Sequence, residues 1–106
     1  MKLRISDGSI RIRLREDEIT RLLAVGRLVE HLPLGSTAGG GLAYGVEVGG
    51  TESPLAAELL GDRLLVRIRR DEVERLGRSE LDGVEASQPS GPGAPLRILL
   101  ERDLAP

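Results

Sequence analysis

Five cations near the start of the chain alternate with aliphatic residues: Lys2, Arg4, Arg11, Arg13 and Arg15 are interleaved with Leu3, Ile5, Ile10, Ile12 and Leu14. A period of two places such residues on one face of paired strands, about 6.8 Å apart along each strand. A cationic face of this kind could hold phosphate, an acidic protein surface or nucleic acid. Like charges directly opposite one another on neighbouring strands cost from some tenths of a kcal/mol to about 1 kcal/mol, so the stripe needs counter-charges. Either a partner supplies them, or Glu30, Glu47, Glu85 and Glu101 do so from within the sheet. No aromatic side chain is interleaved with the arginines, so the stacking platforms of a single-strand binder are missing.

The other chemistry-bearing residues have plainer readings. Asp17-Glu18 and Asp71-Glu72 are adjacent carboxylates that could share acid–base work, but both open a predicted helix, where acidic side chains complement the helix dipole. His31 is the only histidine, and without cysteine no metal-ligand spacing surrounds it. It reads as an ordinary strand residue, and Tyr44 as a core residue. The run Gly35-Ser36-Thr37-Ala38-Gly39-Gly40-Gly41 lacks the Gly-Lys-Ser/Thr ending of a phosphate loop and is expected to be mobile. No cofactor site and no nucleophile–base pair is visible.

The elements that position the stripe can be read locally. Lys2 to Ile5 and Ile10 to Leu14 flank Ser6-Asp7-Gly8-Ser9, and Asp-Gly signals a two-residue hairpin turn. That turn sets Ile5 opposite Ile10, Leu3 opposite Ile12, Arg4 opposite Arg11 and Lys2 opposite Arg13. Residues 16–25 follow as a helix burying Ile19, Leu22 and Leu23, with an Asp17–Arg21 ion pair and Gly26 as a left-handed stop. A strand over 27–32 and another over 42–48 complete the half, the latter with Leu42, Tyr44, Val46 and Val48 on one face.

The pattern then returns 54 residues later. Arg13-Leu14-Arg15-Glu16-Asp17-Glu18-Ile19-Thr20-Arg21-Leu22 becomes Arg67-Ile68-Arg69-Arg70-Asp71-Glu72-Val73-Glu74-Arg75-Leu76. Gly61-Asp62 repeats the hairpin turn between strands at 56–60 and 63–69. A second helix runs from Asp71 to Leu76, with Glu74 closing a capping box if Asp71 is the N-cap. The loop at 88–95 repeats the glycine-rich one. Leu42, Tyr44, Val46 and Glu47 map onto Leu96, Ile98, Leu100 and Glu101, and a one-residue adjustment pairs Val29-Glu30 with Val84-Glu85. The basic stripe does not repeat. Lys2, Arg4 and Arg11 become Ala56, Glu58 and Leu65, while Arg13 and Arg15 persist as Arg67 and Arg69. Any binding face therefore belongs to the first hairpin.

A chain of 106 residues is one domain, here two repeats (about 1–50 and 55–104) joined by Gly49-Gly50-Thr51-Glu52-Ser53-Pro54. The expected fold is α+β: about eight mainly antiparallel strands in a pseudo-twofold barrel or curved sheet, with two short helices. Hydrophobic content of 40%, charged content of 30% and a net charge of −2 describe a globular chain with no global pull toward nucleic acid. Without a leader-like start or a long apolar run, no membrane association is expected and a cytoplasmic location is.

Met1-Lys2-Leu3-Arg4-Ile5, Ser9-Ile10-Arg11-Ile12-Arg13-Leu14, Leu42-Ala43-Tyr44-Gly45-Val46-Glu47 and Leu96-Arg97-Ile98-Leu99-Leu100-Glu101-Arg102-Asp103 resemble a family of small bacterial proteins classed as a domain of unknown function. The resemblance implies a bacterial, cytoplasmic protein and no activity, substrate or cofactor. Members usually end in lysine, aspartate, phenylalanine and cysteine, where this chain has Arg102, Asp103, Leu104 and Ala105. Arg63 to Leu76 followed by Asp82-Gly83-Val84-Glu85 more distantly resembles the swapped-hairpin, antitoxin-like barrels. The function expected is a non-enzymatic interaction or assembly module whose arginine face holds an acidic protein or a second copy. The alternative is a nucleic-acid-binding regulator using the same arginines on phosphates.

Overall fold

The computed structural model describes residues 1–36 and 38–104; Thr37 of the glycine-rich loop and Ala105 of the family comparison lie outside the described residues. Its elements run β1 (Lys2–Ser6), β2 (Ser9–Leu14), α1 (Glu16–Val25), β3 (Arg27–Pro33), β4 (Gly41–Val48), β5 (Leu55–Leu60), β6 (Arg63–Ile68), α2 (Arg70–Gly77), β7 (Gly83–Gln88) and β8 (Leu96–Arg102). The first hairpin has the register the Asp-Gly turn dictates, with Arg4 opposite Arg11 and Lys2 opposite Arg13. Gly8 takes φ 73°, and Gly26 ends α1 at φ 84° with its N–H bonded to the Leu22 carbonyl.

The two halves interlock. Sheet A has strand order β1-β2-β8-β7 and sheet B has β3-β4-β6-β5. Each sheet thus joins the hairpin of one half to the closing strands of the other. The junctions are parallel and equivalent under the repeat, since Ser9 pairs with Arg97 in sheet A and Arg63 with Ala43 in sheet B. Ile12, Leu14, Ile68, Val66, Ile98 and Leu100 from the two sheets form one core with Ile19 and Leu22 of α1 and Val73 and Leu76 of α2. Neither half could bury these side chains alone.

The expected barrel is not formed. Each hairpin satisfies one edge by pairing with the other half, which leaves β1 and β7 as the edges of sheet A and β3 and β5 as those of sheet B. Between β7 and β5 the contact is made by a side chain: Gln88 accepts from the Ala57 N–H (2.8 Å) and donates to the Ala57 carbonyl (2.9 Å). No backbone ladder closes the gap. Each sheet is mixed, with one parallel and two antiparallel pairings.

Three local expectations are corrected. Leu28 pairs with Val46 and Val84 with Leu100, so β7 is displaced from its repeat position by two residues instead of one. The cause is the connection: one residue, Gly26, joins α1 to β3, whereas residues 78–82 join the shorter α2 to β7. The N-cap of α2 is Arg69 instead of Asp71, which puts Glu72, not Glu74, at the third helical position. Asp17 is bound by Arg15 (3.0 Å), two residues before it, and not by Arg21. The repeated Arg-x-Asp-Glu is therefore a helix-start clamp, made again by Arg69 on Asp71 (2.6 Å) and Glu72 (3.3 Å). The paired carboxylates are spent on it.

Gly45 carries a packing requirement. A Cβ there would run into the Leu28 carbonyl oxygen of the neighbouring strand, so β4 can approach β3 this closely only without a side chain at that position.

Candidate functional site: the outer face of sheet A

Strand alternation sends Ile10, Ile12, Leu14, Ile98 and Leu100 inward to the core and leaves the intervening residues outside. Reading across β1, β2, β8 and β7, the outer face has three rows: Lys2-Arg13-Glu101-Gly83, Arg4-Arg11-Leu99-Glu85 and Ser6-Ser9-Arg97-Ser87. Lys2, Arg4, Arg11 and Arg13 are thus brought together as the sequence predicts, and line one hollow of about 190 Å³. Arg15 departs from them. It lies beyond the end of β2, at the start of α1, and lines a different hollow with Met1, Asp17, Glu18, Arg21 and Glu30.

Of the four glutamates expected to neutralise the stripe, only Glu101 reaches it. Arg11 donates to Glu101 from both Nε and Nη2, and Arg13 Nε lies 3.9 Å from the same carboxylate. Lys2 pairs with Asp103 at 3.1 Å, a counter-charge not anticipated from the sequence. Glu85 holds Arg97 (2.8 Å), Glu47 lies 3.7 Å from Arg67, and Glu30 accepts a hydrogen bond from the Tyr44 hydroxyl (2.9 Å). Tyr44 is accordingly half-buried and outside the core cluster, whereas its repeat partner Ile98 is fully buried. Arg4 is different from its neighbours: among the described residues no carboxylate pairs with its guanidinium.

A second hollow, about 330 Å³, is lined by Arg4, Ser6, Ser9, Arg11, Arg97 and Leu99. Three guanidiniums and two hydroxyls face it and, among the described residues, no acid does. The hydroxyls of Ser6 and Ser9 lie 2.9 Å apart, the one donating to the other. Sequence reasoning missed Arg97, Ser6 and Ser9 as members of this site. The serines read as turn flanks, and Arg97 enters only through the parallel β2–β8 pairing, which joins residues 88 positions apart.

The same surface of sheet B is an internal comparison. Glu58, Leu60, Arg63, Leu65, Ala43 and Gly45 occupy the places of Arg4, Ser6, Ser9, Arg11, Arg97 and Leu99. Leu65 is 2% exposed although it lies on the outer face, with Gly45 and Glu58 as its cross-strand neighbours. Glu58 binds Arg67 at 2.8 Å. One copy of the scaffold has filled this place with apolar packing and an internal ion pair, so the fold itself does not call for cations there.

Among the described residues no group of three or more His, Asp or Glu side chains could hold a metal ion, and no helix is long and apolar enough to cross a membrane. A model described as a family of unknown function (DUF7009) matches residues 1–105. No curated protein and no solved structure matches the chain.

Proposed function

We propose that this chain, which belongs to the DUF7009 family, is a non-enzymatic interaction module that holds an acidic protein partner on the outer face of sheet A. The observation that carries this reading is Arg4, directly opposite Arg11 and, among the described residues, without a carboxylate of its own. Lys2, Arg4, Arg11, Arg13 and Arg97 face Glu85, Glu101 and Asp103, which leaves two positive charges in excess. A residual positive field on a face whose counterpart in sheet B is neutralised suits an acidic surface, which it would steer and orient.

The test is fluorescence anisotropy with a labelled oligoglutamate peptide at low ionic strength. Saturable binding that weakens about tenfold in Arg4→Glu, as expected for a charge-assisted contact, supports the reading, provided the variant unfolds at the same denaturant concentration as the parent. Equal binding by parent and variant, or none by either, contradicts it. The same titration with duplex and single-stranded DNA separates the nucleic-acid alternative: tighter binding to DNA, falling steeply with salt, would favour that reading over this one.

A further inference from the structure

We infer that the hollow between Arg4, Arg11, Arg97, Ser6 and Ser9 is a phosphoryl-binding site, and that the group it takes is a phosphate monoester carried on a side chain of the partner. The inference rests on the reading of sheet A as the binding face and specifies what that face recognises.

The arginines are already held for the purpose. Arg11 is bound to Glu101 through Nε and Nη2, and Arg97 to Glu85 through the same two nitrogens. In each, the carboxylate occupies one edge of the guanidinium and leaves the Nη1 side for another acceptor. Arg4 keeps its whole fork. Fixing two of three guanidiniums before the ligand arrives lowers the ordering cost of binding it.

The chemistry of the donors favours a tetrahedral oxyanion over a carboxylate. A carboxylate presents two coplanar oxygens, which one arginine fork can satisfy. Here three guanidiniums on β1, β2 and β8 are joined by a pair of hydroxyls from the hairpin turn. Whichever serine donates within the pair, the other hydroxyl hydrogen is left to turn toward a ligand. Three phosphoryl oxygens can use donors arriving from several directions. The charge points the same way: the three lining arginines against Glu85 and Glu101 leave one positive charge, and Arg13 of the neighbouring hollow, which shares Glu101, adds a second, while a phosphate monoester carries about −1.5 to −2 near neutral pH. Leu99 supplies the one apolar wall.

Five of the six residues that line this hollow differ in chemical type from their counterparts in sheet B. Arg4, Ser6, Arg11 and Arg97 become Glu58, Leu60, Leu65 and Ala43 on the equivalent surface, while Ser9 becomes Arg63. Four of the five donors are thus replaced by an acid or by apolar side chains, which leaves a single cation, Arg63, where sheet A has three.

The test is isothermal titration of the full chain with the blocked peptide Gly-Ala-phosphoserine-Ala-Gly, the same peptide with glutamate at the centre, and inorganic phosphate. The phosphopeptide is expected to bind about tenfold more tightly than the glutamate peptide, in keeping with the larger number of charge-assisted bonds. Arg4→Gln and the Ser6→Ala, Ser9→Ala double variant are each expected to lose that preference. Both leave the core untouched, and equal denaturation midpoints check this. Equal binding of phospho- and glutamate peptides overturns the phosphoryl assignment while leaving the acidic-partner reading intact. Binding of neither peptide removes both. Inorganic phosphate binding as tightly as the phosphopeptide supports the site and assigns it to free phosphate in place of a modified partner.

Discussion

The Gln88 side-chain amide bonds both backbone groups of Ala57, at 2.8 Å to the N–H and 2.9 Å to the carbonyl, and so joins the edge of sheet A to the edge of sheet B. The pseudo-twofold places Leu32 where Gln88 stands and Leu3 where Ala57 stands, and a leucine side chain cannot make this bridge. The two flanks of the molecule are therefore held differently.

Gln88→Leu makes the two flanks alike and leaves two backbone groups without their partner. A loss of about 1–2 kcal/mol is expected, read as a lower urea midpoint with an unchanged slope. No change in midpoint would mean that water replaces the amide at no cost.

Arg102 is 9% exposed and ties three elements together. Its guanidinium donates to the Leu76 carbonyl near the end of α2 and to Glu16 of α1 at 2.7 Å, while its backbone N–H bonds the Asp82 carbonyl. Arg102→Met keeps the stem but removes the charge-assisted donor to the Leu76 carbonyl, which retains only the Ser79 N–H at 3.1 Å, and is expected to cost about 1.5–2 kcal/mol in denaturant titration. Glu16 is largely exposed, so Glu16→Gln is expected to cost much less. Equal losses for the two variants would place the energy in the ion pair instead of the carbonyl.

Tyr44 is the only aromatic residue and reports on its own surroundings. Its hydrogen bond to Glu30 raises the phenol above its ordinary range, with burial and the Glu30 charge acting in the same direction. Alkaline titration of the tyrosinate absorbance should give a midpoint above that of a free tyrosine. Glu30→Gln should bring it down. An unshifted midpoint in the parent would show that the bond is not kept in solution.

Burial pushes the Glu18 carboxyl up, but the Met1 ammonium and the Arg15 backbone N–H outweigh it and hold the group below the ordinary carboxylate range. A carboxyl depressed in the folded state contributes stability above its unfolded pKa, lost as pH falls through the folded value. Glu18→Gln should therefore destabilise near neutrality and lose less on acidification than the parent. Urea midpoints near pH 7 and pH 3 read both. Parallel acid losses in the two proteins would exclude Glu18 as a source of the pH dependence.

What could be read from the sequence was local, and what could not was long-range. The β1–β2 register, the limits of α1 and the left-handed Gly26 follow from a two-residue turn, a 3.6-residue period and a glycine at the right place. The repeat gave the equivalence of the halves but not their exchange, because nothing near Ile12 names Leu100 as its parallel neighbour. That exchange decides the site: it brings Arg97 beside Ser9, sets Glu101 against Arg11, and makes two sheets where one barrel or curved sheet was expected. Arg15 shows the reverse error, since its alternation continues through a chain that has already left the strand.

The outer face of sheet A, and not its counterpart on sheet B, is the proposed binding surface. Amide chemical-shift perturbation on addition of an acidic or phosphorylated peptide at low salt tests it most directly. Shifts are expected over Lys2 to Ser6, Ser9 to Arg13 and Arg97 to Glu101, with Ala43 to Glu47 and Arg63 to Arg67 unmoved. Shifts confined to the sheet B residues, or none at saturating peptide, would contradict it.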